Sequence, residues 1–568
     1  MSARLSKAAG LSLLLGAVAV AFADSSIVVL ALPDLLRIFN SSISAVSWVI
    51  TAYNLVLALA ALALASQARR LDERRSLQIG LALFLAASLA CGSAWNLGSL
   101  IGFRSVQGLG GALLLVGSLP LVRRLAASPK RGVTLWIAAG VVGTAIGPAA
   151  GGLLTELLSW RAVFFAQAPL AAAALLVVVR ARRGERPATA TAPSSAAEPA
   201  RSLGANVALA LASAALVGVL FLSVVLLVDI LRFSPLAAAG IVSAIPVTTF
   251  LVQPLAVRVQ SRSAAAAGVI ALAAGLAGMA LLPSRSILWV IASLALAGVG
   301  LGVVIPTLSR IALAGGSGGA AAGAWNVAAR HVGLVAGLLI VTPLLTSDFS
   351  HAGHRAKLQA TSAVLEAPLP VKTKLDLAFS LAPVLSRPAS KGLPDFTNEI
   401  AKRHIGKAAG LGKELDSIVQ AAFTRGFRRS FLVTGLLGLL ALFPFALALP
   451  AASRRPGWRT LSAPALALLA AASLLVAETA RGALSYGSKP HLYAACATRT
   501  PFPRSGIDAT SQRLALSALD RVACHYDKSR EELVVDLAAR GADSKTLLTV
   551  LEFGSNELSA LSRWLSKL

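Results

Sequence analysis

Residues 141–152, VVGTAIGPAAGG, break an otherwise apolar run with four glycines and one proline. Inside a helix each glycine costs about 1 kcal/mol relative to alanine, and a proline costs about 3 kcal/mol. Helical spacing places the small residues on one face, with Gly143, Gly147 and Gly151 in one stripe and Thr144, Pro148 and Gly152 beside it. Small residues at every fourth position let two membrane helices approach closely, and Pro148 frees the carbonyl four residues earlier. The stretch predicts a tight, bendable helix contact; the alternative is a static packing seam.

The composition places the chain among membrane proteins. Of its 568 residues, 56% are apolar and 14% are charged, and the mean hydropathy is +0.75. These values lie outside the range of water-soluble domains and indicate a polytopic membrane protein. The net charge of +27 would suggest a nucleic-acid partner if the basic residues formed a stripe on a soluble domain. They fall instead in short clusters between apolar runs, so no nucleic-acid partner is expected.

Apolar windows long enough to cross the bilayer predict about thirteen transmembrane helices. Their approximate limits are 10–32, 45–66, 77–95, 99–121, 133–154, 162–179, 206–228, 236–257, 265–282, 287–308, 322–345, 429–450 and 461–478. Basic clusters such as Arg74 with Arg75 and Arg123 with Arg124 fall in alternate connections, which are therefore cytoplasmic. We expect a multi-pass protein of the plasma membrane with a cytoplasmic N-terminus and an extracytoplasmic C-terminus.

The predicted fold class is an all-α membrane protein with two six-helix bundles, one extra transmembrane helix and a small helical extracytoplasmic domain. The linker 183–203 (RGERPATATAPSSAAEPARSL) separates the bundles, because its Pro, Ala, Thr and Ser indicate a flexible cytoplasmic segment. The predicted divisions are an N-terminal bundle at 1–182, a C-terminal bundle at 204–345 with 429–452, a long extracytoplasmic loop at 346–428, the extra helix at 461–478 and the helical domain at 479–568.

Ionisable residues inside predicted spans are candidates for function, because burying them in a membrane is costly. The most deeply placed are Asp24, Arg104, Arg330 and His331, with Asp229 at the outer end of the seventh span. Asp24 is a candidate for taking up and releasing protons. The alternative is a static pair of Asp24 with Arg104 that holds two helices in register.

The N-terminus allows two interpretations. Arg4 and Lys7 precede an apolar core, and Ala21, Phe22 and Ala23 resemble the cleavage site of a signal peptide. The apolar character resumes after Asp24, which favours a membrane span over a cleaved signal.

Two of the three cysteines, Cys496 and Cys524, lie in the predicted extracytoplasmic tail, and Cys91 lies in a span. A cysteine pair in an oxidising compartment most often forms a structural disulfide. Only His525 adjoins a cysteine, and the spacing resembles no zinc module, so no metal site is expected.

Four stretches carry a resemblance to a known family. They are ADSSIVVLALP at 23–33 (with WVITAYNL at 48–55 following), FRSVQGLGGA at 103–112, GTAIGPAAGG at 143–152 and SWRAVFFAQAPL at 159–170. Together they resemble the major facilitator superfamily, in particular its drug/proton antiporter branch. The resemblance implies two six-helix bundles with alternating access around a central cavity, and it links Asp24 and Arg104 to proton coupling. It assigns an antiporter motif to Gly143, Gly147, Pro148, Gly151 and Gly152.

The sequence departs from the family pattern in the loop after the second span. ASQARRLDERRSL keeps only the basic pair Arg74 and Arg75 of the cytoplasmic gating loop, and Asp72 or Glu73 would have to replace the usual acid. The two extra central helices of the branch are also missing, and one helix is added near 461–478.

The preferred function is a proton-coupled exporter of hydrophobic or cationic small molecules, driven by the proton gradient without a cofactor. The candidate cavity residues are Trp48, Tyr53, Asn54, Gln107 and Asp229. A second hypothesis is export of an envelope lipid, siderophore or metabolite, with 346–428 and 479–568 engaging cargo or an extracytoplasmic partner. A third is a membrane-anchored extracytoplasmic enzyme or sensor, although no convincing catalytic arrangement supports it and no catalytic residue is assigned.

Overall fold

The computed structural model describes residues 2–68, 70–180, 198–258, 262–282, 286–314, 319–385, 396–401, 409–448, 490–499 and 509–541, with isolated positions beyond 448. No β-strand occurs among these residues, so the predicted all-α class is confirmed. The chain divides into two compact units, which are Met1–Thr346 with Phe427–Leu484 and Ser347–Gly426 with Ser485–Leu568. We call them the membrane unit and the outer unit, the second name following the predicted extracytoplasmic position of 346–428 and 479–568.

The first half of the membrane unit is a helical bundle. Its elements are α1 (Ser2–Ile27), a 3-10 turn (Val28–Ala31), α2 (Leu32–Ile38), α3 (Ile43–Ser66), α4 (Glu73–Gly92), α5 (Leu97–Leu125), α6 (Pro129–Leu157), α7 (Ala162–Phe165) and α8 (Ala168–Arg180). Polar N-caps begin several of these helices: the Ser42 hydroxyl accepts the Ala45 amide, and the Ser128 hydroxyl accepts the Arg131 amide. Trp136 of α6 is buried and donates to the Ser118 hydroxyl of α5 at 3.0 Å.

The second half begins after the linker. Its elements are α9 (Glu198–Val224), a π-helix (Val225–Ile230), α10 (Pro235–Val242), α11 (Ala244–Arg258), α12 (Arg262–Ala280), α13 (Ile287–Ala314) and α14 (Ala320–Glu366). Beyond α14 follow α15 (Val371–Leu385), α16 (Phe396–Ala401), α17 (Ala409–Leu440), α18 (Leu442–Ala448), α19 (Ala509–His525) and α20 (Arg530–Ala539). Helices α14 and α17 each contribute residues to both units.

The described helices include eleven stretches long and apolar enough to cross a membrane, and Ala266–Ala280 is a shorter apolar helix. They match the first twelve predicted spans. The predicted span 461–478, the part of the predicted helical domain from 545 to 568 and residues 183–197 of the linker lie outside the described residues, apart from isolated positions in the span. The remaining linker residues, 198–203, belong to α9.

The region predicted as a long loop, 346–428, is largely helical where it is described, because α14 continues well past the apolar run. It shares the outer unit with the tail, which the sequence analysis treats as a separate domain. A capping box begins α20: Ser529 accepts the Glu532 amide, and the Glu532 carboxylate accepts the Ser529 amide at 2.8 Å.

Candidate functional site

An ion pair lies inside the first-half bundle. The Asp24 carboxylate of α1 pairs through Oδ2 with Nη1 of Arg104 on α5, and neither side chain has any exposed surface. The second carboxylate oxygen, Oδ1, accepts from Gln167 Nε2 at 2.8 Å and from Gln107 Nε2 at 3.4 Å. The structure therefore joins the two residues that the sequence assigns to proton coupling, and it surrounds the acid with donors.

Arg104 is held on several sides. Its Nε donates to the Val49 carbonyl at 2.9 Å, and Nη1 also donates to Gln107 Oε1 at 2.7 Å. The Tyr53 ring lies 4.2 Å from the guanidinium carbon and the Phe164 ring 5.7 Å from it. Only Nη2 is buried without a hydrogen-bond partner among the described residues.

Gln167 and Ser88, to which the sequence predictions give no role, also belong to this network. Gln167, in the turn between α7 and α8, accepts from Gln107 Nε2 at 3.1 Å while donating to Asp24 and to the Val163 carbonyl. The Ser88 hydroxyl of α4 accepts from Gln107 Nε2 at 2.9 Å. Gln167 lies within the quoted stretch SWRAVFFAQAPL, so a search for amides as well as charges in the spans would have found it.

The network is sealed in this conformation. Asp24, Arg104 and Gln107 have no exposed surface, and Gln167 is 3% exposed. A buried carboxylate and guanidinium neutralise each other, and uncharged amides satisfy the remaining oxygen. The geometry fits a static pair as well as a proton site that needs a conformational change to reach water.

The small-residue stripe of α6 packs on α1. A Cβ atom on Gly143 would overlap the Ala19 backbone, and one on Gly151 would overlap the Ile27 backbone. A Cβ on Gly147 would occupy the position of the Ser26 hydroxyl. The stripe therefore makes the close helix contact that the opening stretch of sequence predicts.

The proline of the stretch contributes a polar contact to the same interface. Because Pro148 has no N–H, the carbonyl of Thr144 loses its helical donor, and the Ser26 hydroxyl lies 3.1 Å from it as donor. The adjacent Gly152 faces the second half instead, where a Cβ would overlap the Ala239 side chain of α10. Helix α6 thus contacts α1 through one stripe and α10 through its neighbour.

A cavity of about 40 Å³, open in part to solvent, lies between α6 and the second-half helices. Its walls are mainly apolar and include Pro148, Leu220 and Ile305. Arg330 of α14 is the one charged residue among those described in its lining. Its guanidinium donates to the Thr144 hydroxyl and lies 4.5 Å from the Phe22 ring.

None of the five residues predicted to line the substrate cavity belongs to the lining of this cavity, and their role stays a prediction. Trp48 is 41% exposed, whereas Tyr53 and Asn54 are buried and hydrogen-bonded within the bundle, to the Ala21 carbonyl and to Ser25. Gln107 belongs to the network around Asp24. Asp229 lies in the π-helix, and its Oδ2 is buried without a hydrogen-bond partner among the described residues.

The predicted gating loop makes contacts within the first half. Arg74 donates to the carbonyls of Val178 and Val179 at 3.1 Å, and Arg75 pairs with Asp72 at 3.4 Å. Glu73 pairs with Arg124 of α5 at 3.0 Å. Asp72 and Glu73 both contact basic residues, and the replacement of the missing acid by one of them stays a prediction.

The outer unit contains a disulfide and a buried charge network. Cys496 and Cys524 are joined by the disulfide, and nearby Arg499 donates to both oxygens of Glu531 at 2.8 Å. Burial alone would raise the pKa of Glu531, but the hydrogen bonds from Arg499 and the charges of Arg530 and Arg499 lower it. No cluster of three or more metal-ligating side chains is found in the part of the chain that the structure describes.

Comparisons with known proteins agree with this architecture. A family model described as Major Facilitator Superfamily matches residues 14–338. The multidrug resistance protein Stp of Mycobacterium tuberculosis (strain CDC 1551 / Oshkosh) is 36% identical over 161 residues, which are 28% of this chain and 30% of Stp. The tetracenomycin C resistance and export protein of Streptomyces glaucescens is 36% identical over 168 residues, 29% of this chain and 31% of that protein.

The chain spans about 30% of the length of these curated relatives in the alignments. Among solved structures, a bacterial homolog to the human lysosomal transporter Spinster, inward-facing and unoccupied, aligns with a TM-score of 0.55 and 15% identity. That alignment covers 79% of this chain and 99% of the other. At this identity the likeness concerns the fold alone.

Proposed function

The chain belongs to the major facilitator superfamily, as its motifs predict, and we propose that it is a proton-coupled exporter of small molecules that works by alternating access. The single observation that carries the proposal is the buried pair of Asp24 and Arg104, enclosed by two glutamines inside a transmembrane bundle. An ionisable pair at that depth is expensive to bury, which favours a working role.

The two amides suit a carboxyl group that changes its protonation state. An amide carries both donors and an acceptor, so Gln167 can donate to the Asp24 carboxylate and, after rotation, accept from the protonated acid. Protonation would remove the charge that attracts Arg104 and would weaken the link between α1 and α5. The proton would thereby favour one of two bundle arrangements.

The contacts of α6 support a mechanical connection between the protonation of Asp24 and the cavity. Helix α6 packs through its glycine stripe on α1, which carries Asp24, and it also lines the cavity through Thr144 and Pro148. A displacement of α1 would therefore reach the cavity wall and the contact of Gly152 with α10.

The relatives' names support export of a drug-like small molecule. The sequence favours a hydrophobic or cationic molecule, and the apolar walls suit a hydrophobic body. We place the protein in the cell membrane with its N-terminus in the cytoplasm and the outer unit outside the cell. The disulfide supports a position of the outer unit outside the cell, because disulfides persist in oxidising compartments.

A second candidate is export of an envelope lipid, siderophore or metabolite. It is favoured by the outer unit, in which residues 347–426 and 485–568 form one compact body able to receive cargo or a partner. Removing residues 485–568 separates the two candidate functions. If cells with the shortened protein export drugs as well as cells with the native protein, a role of the outer unit in receiving cargo has no support.

The decisive experiment uses the full-length protein in proteoliposomes. A pH gradient is imposed, and uptake of a dye-like substrate is compared between the native protein and Asp24→Asn, with Arg161→Gln as a control outside the network. We expect the gradient to drive transport only when Asp24 is present. Transport that ignores both the gradient and the substitution would reject proton antiport through this residue.

A further inference from the structure

Two arginines are buried among the described residues of the membrane unit, and their surroundings differ. Arg104 faces the carboxylate of Asp24, so its charge is compensated. Arg330 is 7% exposed, and no carboxylate lies within ion-pair distance of it in the described part of the chain. A buried cation without a counter-charge is costly, so the missing anion needs an explanation.

The contacts that Arg330 makes do not neutralise it. The Thr144 hydroxyl accepts one hydrogen bond from the guanidinium, and Thr144 itself donates to the Gly140 carbonyl at 2.9 Å. The Phe22 ring contributes a cation–π contact at 4.5 Å, which offsets only part of the cost of removing a cation from water. Both contacts fix the position of the side chain, and neither supplies negative charge.

Of the nitrogens of the Arg330 guanidinium, only Nη2 makes a hydrogen bond to the described residues. A guanidinium has five N–H donors in a fixed planar fork, and one of them is used on Thr144. Arg330 lines the cavity opposite apolar side chains, among them Leu216, Ile245 and Leu301. The site therefore combines one anion-binding fork with walls that favour an apolar body.

We propose that the cavity binds an organic anion, with the carboxylate or a similar planar acidic group on Arg330 and the apolar part against the second-half helices. The inference deepens the proposed function and rests on it for the statement that the bound anion is carried. It differs from the cationic cargo that the sequence favours, because the charged group in the lining is a cation.

Binding to the purified full-length protein in detergent tests this site without any gradient. The probes are butyrate and butylamine, which share a short apolar chain and differ in the sign of their charge. We expect the native protein to bind the butyrate more tightly by about tenfold or more, the gain typical of a charge-assisted hydrogen bond. Equal affinity, preference for the amine or no binding of either probe would overturn the proposal.

Variants assign the effect to one side chain. Arg330→Gln should lose the preference for the butyrate, binding the butyrate less tightly and the amine no less tightly than the native protein does. Arg330→Lys should give an intermediate affinity for the butyrate, because a lysine lacks the planar fork. Arg161→Gln is the matched control, since Arg161 also lies over an aromatic ring, 4.4 Å from Trp160, and is absent from the cavity lining. Butyrate affinity lost equally in Arg161→Gln would contradict the assignment.

The outcomes separate the two proposals. Preferential butyrate binding without gradient-driven transport would keep the anion site and reject proton-coupled export. Gradient-driven transport of a cationic dye by a protein that binds both probes equally would keep the export function and reject the anion site.

Discussion

Asp24 and Arg104 form an ion pair across α1 and α5 in which neither side chain has exposed surface. Replacing Asp24 with Asn leaves the guanidinium buried without its counter-charge. We expect this change to lower the free energy of unfolding by about 3–5 kcal/mol. The measurement is the thermal or denaturant unfolding of the purified protein in detergent.

The double variant Asp24→Asn with Arg104→Gln separates stability from proton coupling. It removes both charges, so we expect it to regain most of the stability lost in the single variant. Gradient-driven transport should stay absent, because no titratable group is left at the site. A double variant that is stable and transports normally would identify the pair as a static link between α1 and α5.

The close contact between α6 and α1 predicts that alanine is tolerated less well at Gly143 than at an uncrowded glycine. Gly143→Ala places a methyl group against the Ala19 backbone and should destabilise the protein by about 1–3 kcal/mol. Gly102→Ala is the matched control, because nothing lies within 4 Å of a Cβ atom at that position. The control should be neutral or stabilising by up to about 1 kcal/mol, since alanine favours the helix. Equal unfolding midpoints for the two variants would contradict the close contact.

The sequence predicts the spans and the charged centre of the site better than its surroundings. Asp24 and Arg104 stand out because charges are rare in apolar runs, and the structure brings them together. Gln167 carries no charge and lies far along the chain, so only packing places it 2.8 Å from Asp24. Its role could not be inferred from a scan for ionisable residues.

The residues that line the cavity between α6 and the second-half helices are the hardest to predict from the sequence. Most of them are apolar and have the same composition as any buried helix face, so nothing in the sequence distinguishes them. Polar or aromatic residues such as Trp48 and Tyr53 attract attention, yet one is exposed and the other donates to the Ala21 carbonyl inside the bundle. Helix rotation, which tertiary packing sets, decides which residues face the cavity.

The disulfide between Cys496 and Cys524 predicts a measurable contribution to the outer unit. The bridge closes a loop with a sequence separation of 28, for which chain entropy gives roughly 3.5 kcal/mol of stabilisation. Replacing both cysteines with serine should therefore increase hydrogen exchange in α19 and α20 of the full-length protein. Peptides from α5 of the membrane unit serve as the control and should not change.

Alkylation followed by mass measurement checks the bridge directly. Before reduction, native protein from cells should show no labelled thiol at Cys496 or Cys524, and both should be labelled after reduction. Cys91 is buried and free, so it should react only after denaturation and gives an internal reference. Two reactive thiols in the unreduced tail would contradict the bridge.

Lys374 of α15 predicts a pH-dependent stability of the outer unit. Its amine donates to Gln512 Oε1 at 2.9 Å, and burial, followed by the charge of Arg530, lowers the pKa of Lys374 from 10.5 to about 8, with Glu366 opposing the change. Between these two values the unfolded chain binds more protons than the folded chain, so the free energy of unfolding rises with pH. Below about pH 8 the cost of the buried charge is fully present.

Lys374→Met removes that cost and should therefore raise the free energy of unfolding above that of the native protein. This increase should be about 2 kcal/mol larger at about pH 7 than at about pH 10.5. Hydrogen exchange of peptides from Val371–Leu385, compared between the two proteins at each pH, measures the difference. Lys372→Met is the matched control, because Lys372 is exposed on the same helix and should show no such dependence. A gain that is equal at both pH values would mean that the folded protein holds Lys374 with an ordinary pKa, and would contradict the buried environment of its amine.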